Sequence, residues 1–93
     1  MYHLKGNYLP AIEEYKKAIV LDSNCVFAHA GIGFSFRNLG NLSESATAFR
    51  IALKIAPKEE LIQEESRLAE EYLILDKKLK SVINLHFPGT RMN

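Results

Sequence analysis

The stretch GNLSESATAF (residues 40–49) restates GNYLPAIEEY (residues 6–15) class for class, although few letters are identical. Gly40 lies 34 positions after Gly6, and Phe49 lies 34 after Tyr15. The same offset carries Asn7 onto Asn41, Ala11 onto Ser45, Lys16 onto Arg50, Ala18 onto Ala52, Ile19 onto Leu53, Leu21 onto Ile55 and Ser23 onto Pro57. Upstream it sets Tyr2 on Phe36. Size and polarity persist where identity does not, as expected when packing is the constraint.

Each copy reads as a turn followed by a helix. Glycine takes positive φ at little cost, and Asn can cap the helix that follows. Glu44, three residues after Asn41, has the spacing of a capping box. Ala11, Tyr15 and Ala18, with Ile12 and Ile19, form one stripe at helical spacing; Ser45, Phe49 and Ala52, with Leu53, form its counterpart. The small–large–small order lets a neighbouring backbone approach and receive one aromatic knob. Pro10 falls in the first turn of its helix, where a missing N–H does little harm, and Pro57 stops the second copy.

Between the copies lies CVFAHAGIGFSFRNLG (residues 25–40), expected to be helical from about Cys25 to Asn38, with Ser23 and Asn24 placed to cap it. Gly31 and Gly33 weaken such a helix by roughly 1 kcal/mol each, so close packing against a neighbour is expected there. His29, Ile32, Gly33 and Phe36 lie on one side; Phe27, Ala30 and Phe34, continuing into Arg37 and Asn38, lie on another. A helix apolar on two sides is sandwiched, which is the mark of a stacked array.

The period and residue order resemble the tetratricopeptide repeat, whose signature runs W-x2-L-G-x2-Y, A-x3-F, P. Ile32, Gly33 and Phe36 fill the leucine, glycine and tyrosine places, followed by Ser45, Phe49 and Pro57. His29 replaces the tryptophan and Ser45 the alanine, and the first copy has Ser23 where proline is usual. The resemblance covers about residues 2–57 and implies an all-α fold of antiparallel helix-turn-helix units, an α-solenoid. It further implies that the first helix of each pair lines a concave peptide-binding groove. On this chain that lining would be Phe27, Ala30, Phe34, Arg37 and Asn38, with the phenylalanines as apolar contacts and Arg37 as an anion or carbonyl contact. The other reading packs Phe27 and Phe34 on the C-terminal helix or on an upstream one. Some members of the family hold a chaperone's C-terminal carboxylate through basic and asparagine side chains; the asparagine expected two residues after His29 is Gly31 here, which does not support that activity.

Counting back one period from Val26 places the start of the first repeat before residue 1, so a fragment of a longer solenoid is expected, or an N-terminal edge that pairs with another molecule. After Pro57 the pattern changes. A further offset of 34 puts Ile74 where a turn glycine belongs and His86 where a small residue belongs, so no third repeat is expected. Residues 58–86 contain no Gly or Pro and read instead as one long capping helix. Leu61, Leu68, Leu75 and Val82 recur every seven residues, interleaved with Tyr72, Leu79 and His86, a heptad seam with Glu65 as its weak point. Six glutamates (Glu59, Glu60, Glu64, Glu65, Glu70, Glu71) load its N-terminal half as a solvated face, and Lys77, Lys78 and Lys80 load the other, the arrangement the helix dipole favours. The organisation is therefore 1–57 as repeats (1–23 partial, 24–57 complete), 58–87 as the capping helix ended by Phe87-Pro88-Gly89, and 88–93 as a tail.

Composition narrows the function. The chain of 93 residues is one small domain that buries about two-thirds of its unfolded surface. A net charge of +1 supplies no field for nucleic acid or an anionic membrane. The single cysteine, Cys25, excludes an internal disulfide and fits a cytoplasmic location. No apolar run approaches the roughly 18 residues of a membrane span, and the N-terminus is no signal sequence. Cys25 and His29 have a ligand-like spacing but no second pair, so no metal or other cofactor is expected. His3, His29 and His86 stand in no nucleophile motif, glycine loop or paired-carboxylate setting, so no enzyme is expected. The expected role is a protein–protein interaction module; the alternative is self-association as a homodimer through the heptad seam or the unpartnered first helix.

Overall fold

The computed structural model describes residues 7–86, with side chains through residue 83. The expectations for Gly6, Tyr2 to Leu4 and Phe87-Pro88-Gly89 lie outside these residues. Four helices follow in order, α1 (Tyr8–Leu21), α2 (Val26–Leu39), α3 (Leu42–Ile55) and α4 (Glu60–His86). No strand occurs among the described residues. Each helix packs mainly on its neighbours in sequence: α1 on α2, α2 on α3, α3 on α4. The body measures 50 × 30 × 23 Å, long because α4 has 27 residues against 14 in α3 and runs past it.

The core is the space between α2, α3 and the first half of α4. Phe49 fills it at 0% exposure, surrounded by Ala30, Ala46, Ala52, Ile62 and Ala69. Alanines around one phenylalanine let the helix backbones close on a single large knob. Burying that ring contributes about 1.5–3 kcal/mol.

Both helix glycines of α2 are explained by aromatic rings. A Cβ on Gly33 would lie 2.7–2.8 Å from three ring atoms of Phe49, and one on Gly31 would lie 2.3–2.6 Å from the ring of Tyr15. Thus α2 takes Tyr15 from the helix before it and Phe49 from the helix after it. The Ser45 hydroxyl, at the alanine place of the stripe, donates to the Gly33 carbonyl at 2.8 Å and ties α3 to α2 beside that contact.

The turns differ in part from expectation. Gly40, at φ 86°, ends α2 in the left-handed region, with its N–H on the Arg37 carbonyl and the Asn41 N–H on the Phe36 carbonyl. The Gly-Asn pair therefore works chiefly as a helix stop. Asn41 stands at the N-cap of α3 but its side chain makes no cap bond, so the capping box with Glu44 is not formed. The N-cap of α2 is Cys25 rather than Ser23 or Asn24. Asp22 shapes that turn, its carboxylate accepting from the Asn24 N–H at 3.1 Å.

The turn hydrogen bonds repeat further along the chain than the residue pattern does. Around the α1–α2 turn, the Asp22 N–H bonds to the Ala18 carbonyl, the Cys25 N–H to Asp22 and the His29 N–H to Cys25. Around the α3–α4 turn, Ala56 bonds to Ala52, Glu59 to Ala56 and Gln63 to Glu59, each pair shifted by 34. Side chains copy the pattern. His29 Nε2 lies 3.0 Å from the Ser23 carbonyl, and Gln63 Nε2 donates to the Pro57 carbonyl at 2.8 Å. A carbonyl only accepts, so His29 carries its proton on Nε2. Three of the buried positions of α2 recur, Ala28 with Ile62, Ile32 with Ser66 and Ser35 with Ala69, whereas His29, Ala30 and Gly33 fall on the exposed Gln63, Glu64 and Arg67. The hydrogen bonds of the α1–α2 turn thus recur one period later at the α3–α4 turn and the start of α4.

Candidate functional site

An apolar groove of about 510 Å³ opens between α2 and the first turn of α4. Phe27, Ala30 and Phe34 form one wall, Leu61 and Ile62 the other, and Tyr15 closes the α1 side. Phe27 and Leu61, one on each wall, lie 34 positions apart in the sequence. Both are exposed, at 79% and 62%, although each could have been polar without loss to the core. Glu59 is the one charged residue among those lining the groove.

The wall residues are anchored unequally. Tyr15 is seated on Gly31, so its ring and the α2 backbone form one continuous surface. Phe34 meets Phe49 edge to face, with centroids 5.1 Å apart at 87°, and is thereby anchored to the core. Phe27 has no such anchor and projects from the rim.

Arg37 and Asn38 are placed elsewhere. The Arg37 guanidinium turns to α4, where Nη1 donates to the Glu65 carboxylate at 2.8 Å and Nη2 to the Glu65 backbone carbonyl at 3.3 Å. It also lies over three rings, 5.5 Å from the centroid of Phe34, 5.0 Å from Phe49 and 5.3 Å from Tyr72. Both side chains of this ion pair are mostly buried. Arg37 is therefore the lid of the aromatic core and holds α4 to α2. Asn38 donates its side-chain amide to the Phe34 carbonyl one turn back on α2, at 2.9 Å. Of the five residues expected to line the groove, the structure brings together Phe27, Ala30 and Phe34.

Glu65, the flaw in the heptad seam, is accounted for by Arg37. Glu70 likewise takes two bonds from Arg50 of α3, at 2.6 and 3.1 Å. The glutamate run is thus more than a solvated face, because two of its members clamp α4 to the helices beneath it. On the outer side of α4, Glu64 and Glu71 flank Arg67 and raise its pKa, through the Glu64 hydrogen bond first and then the charges of both carboxylates.

Sequence reasoning missed Leu61, Ile62 and Tyr15 as groove residues. The signal was present in the offset that aligns Leu61 with Phe27. The other sequence candidates are placed separately. Cys25 stands at the N-cap position of α2 without a side-chain cap bond, and His29 is buried against the Ser23 carbonyl. His3 and the side chain of His86 lie outside the described residues. Among the described residues no three His, Cys, Asp or Glu side chains gather in a way that could hold a metal ion. None of the described helices is long and apolar enough to cross a membrane. No family model matches the chain, and no curated protein and no solved structure matches it.

Proposed function

We propose that the chain is a protein-recognition module with a tetratricopeptide-like solenoid arrangement, whose groove between α2 and α4 takes apolar side chains of a partner peptide. The observation that carries this reading is the groove itself, an exposed apolar cleft with aromatic walls in a domain whose core is already filled by Phe49. Its volume lies within the roughly 300–1,000 Å³ of ligand pockets, enough for one or two large apolar side chains. Phe34 is held against Phe49 before binding, so little of its side-chain entropy is lost when a partner arrives. The repeated hydrogen bonds at the α1–α2 and α3–α4 turns support stacked helix pairs, the architecture that creates a concave face between successive first helices. Binding and not catalysis is the reading, since the lining offers apolar contact and a single carboxylate.

The test uses a display library of random peptides panned on the whole chain. Recovered peptides should share one or two aromatic or branched apolar residues, and Phe27→Asp should weaken them at least about tenfold. Phe27 is 79% exposed, so the substitution should leave the fold intact, whereas Phe34→Ala also strips a ring from Phe49. No enriched peptide, or peptides indifferent to Phe27→Asp, would remove the groove from the account.

A further inference from the structure

The α2–α4 groove carries charge of one sign. Arg37 and Asn38, expected along its α2 wall, are engaged by Glu65 and by the Phe34 carbonyl, and neither lines it. Glu59 is the charged residue that does, beside Ala56 and Leu61 where α4 begins. It has no ion-pair partner among the described residues. A helix start favours an acid, which accounts for a carboxylate at this point without neutralising it. The cations nearest in the chain do not answer it either. Lys17 is held by Glu14 at 3.3 Å, Lys16 lies with Glu13 around a different hollow, and Lys54 lies with Arg50 on another part of α3. Lys58 does not line the groove and is followed by Glu60 as well as Glu59. An apolar cleft with a carboxylate at one end selects a cation next to apolar side chains.

The lining also sets a spacing. Phe27 and Phe34 are seven residues apart on α2, roughly 10 Å along its axis. An extended chain puts residues i and i+2 on one face about 7 Å apart, so two apolar side chains fit along that wall. The next residue on the same face falls beyond Phe27, at the end where Glu59 stands.

On the reading that the groove binds peptide, we propose that its partner is an extended segment with two apolar side chains two positions apart and a lysine or arginine two positions beyond them, held by Glu59. The probes are acetylated, amidated heptapeptides with Phe third, Leu fifth and Ser at the even positions. Lys, Gln or Glu occupies the first or the seventh position, with Gln at the other end. Binding is read by chemical-shift titration of the labelled whole chain at low ionic strength. In one of the two placements the Lys peptide should bind about two- to fivefold more tightly than the Gln peptide, the yield of one solvent-reached ion pair, and the Glu peptide more weakly. Glu59→Gln should level the three and Glu59→Lys should reverse their order, while Phe27→Ser should weaken all three alike. Equal binding of the three, or a Lys preference that survives Glu59→Lys, would overturn the charge assignment and leave the groove standing. Failure of every peptide to bind would remove both. A dimer in sedimentation equilibrium that Phe27→Ser dissolves would give the groove to a second copy and overturn the proposal as well.

Discussion

Gly33→Ala separates this packing scheme from an ordinary helix more sharply than any other single substitution. In a solvated helix the change stabilises by about 1 kcal/mol. Here the new methyl would sit 2.7–2.8 Å from three ring atoms of Phe49. That ring is at 0% exposure, pinned by Phe34 on its edge and by the Arg37 guanidinium 5.0 Å above it. It cannot swing away, so α2 and α3 must separate. Overpacking of this kind costs about 1–3 kcal/mol. Separation also stretches the 2.8 Å bond from Ser45 to the Gly33 carbonyl, worth a further ~1 kcal/mol. Set against the helix gain of about 1 kcal/mol, the net destabilisation is roughly 2 kcal/mol, or about 8–16 °C in Tm for a domain of this size. Urea unfolding followed by far-ultraviolet circular dichroism reads it directly. Phe49→Leu in the same chain should absorb part of the loss, appearing as a coupling of about 1 kcal/mol in the double-mutant cycle. A Gly33→Ala protein more stable than the parent would refute the contact, and with it the α2–α3 packing on which the core rests.

Other substitutions test other contacts. Arg37→Ala should cost roughly 2–3 kcal/mol, below the full cost of breaking a buried pair because Glu65 keeps some solvent, while Arg37→Met with Glu65→Leu should recover most of it in the same unfolding assay. His29→Gln should be nearly neutral, because Gln63 makes the equivalent bond in the next turn, whereas His29→Ala should lose about 1 kcal/mol or more through the lost bond and the vacated volume. Gly31→Ala should cost less than Gly33→Ala, because Tyr15 is only half-buried and its ring can move outward.

The four helices were legible because each has a periodic stripe and a clear stop. Those at Gly40 and Pro57 come from backbone chemistry that needs no tertiary partner. The pairing of α2 with both aromatic stripes was legible too, since two glycines in one helix require close neighbours. Caps were not, because Asn41 and Ser23 compete with the Asn41 N–H on Phe36 and with the Asp22 turn, which are settled by the chain's path. The recurrence of the turn bonds at the start of α4 was hidden for a specific reason. Gly33 is small because Phe49 enters there, and no described helix follows α4 to present a ring at Arg67, the position one period on. Gly31 is small for Tyr15, but one period on stands Glu65, where Arg37 covers the aromatic core instead. The signature glycines therefore vanish while the backbone contacts remain. Of the candidate site, helix phase placed Phe27, Ala30 and Phe34 on one face, while a groove role for them was implied only by the family resemblance. The inward turn of Arg37 was not, since it depends on a carboxylate 28 residues away on another helix.

The claim beneath all of this is that successive units make the same contacts one period apart. Nuclear Overhauser spectroscopy on the labelled chain tests it most directly. The account predicts paired cross-peaks, His29 ring to Ser23 and Gln63 side-chain amide to Pro57, together with α-protons of Gly31 and Gly33 shifted upfield by the Tyr15 and Phe49 rings. Random-coil shifts for both glycines, or the first turn contact without its counterpart at Gln63, would contradict it.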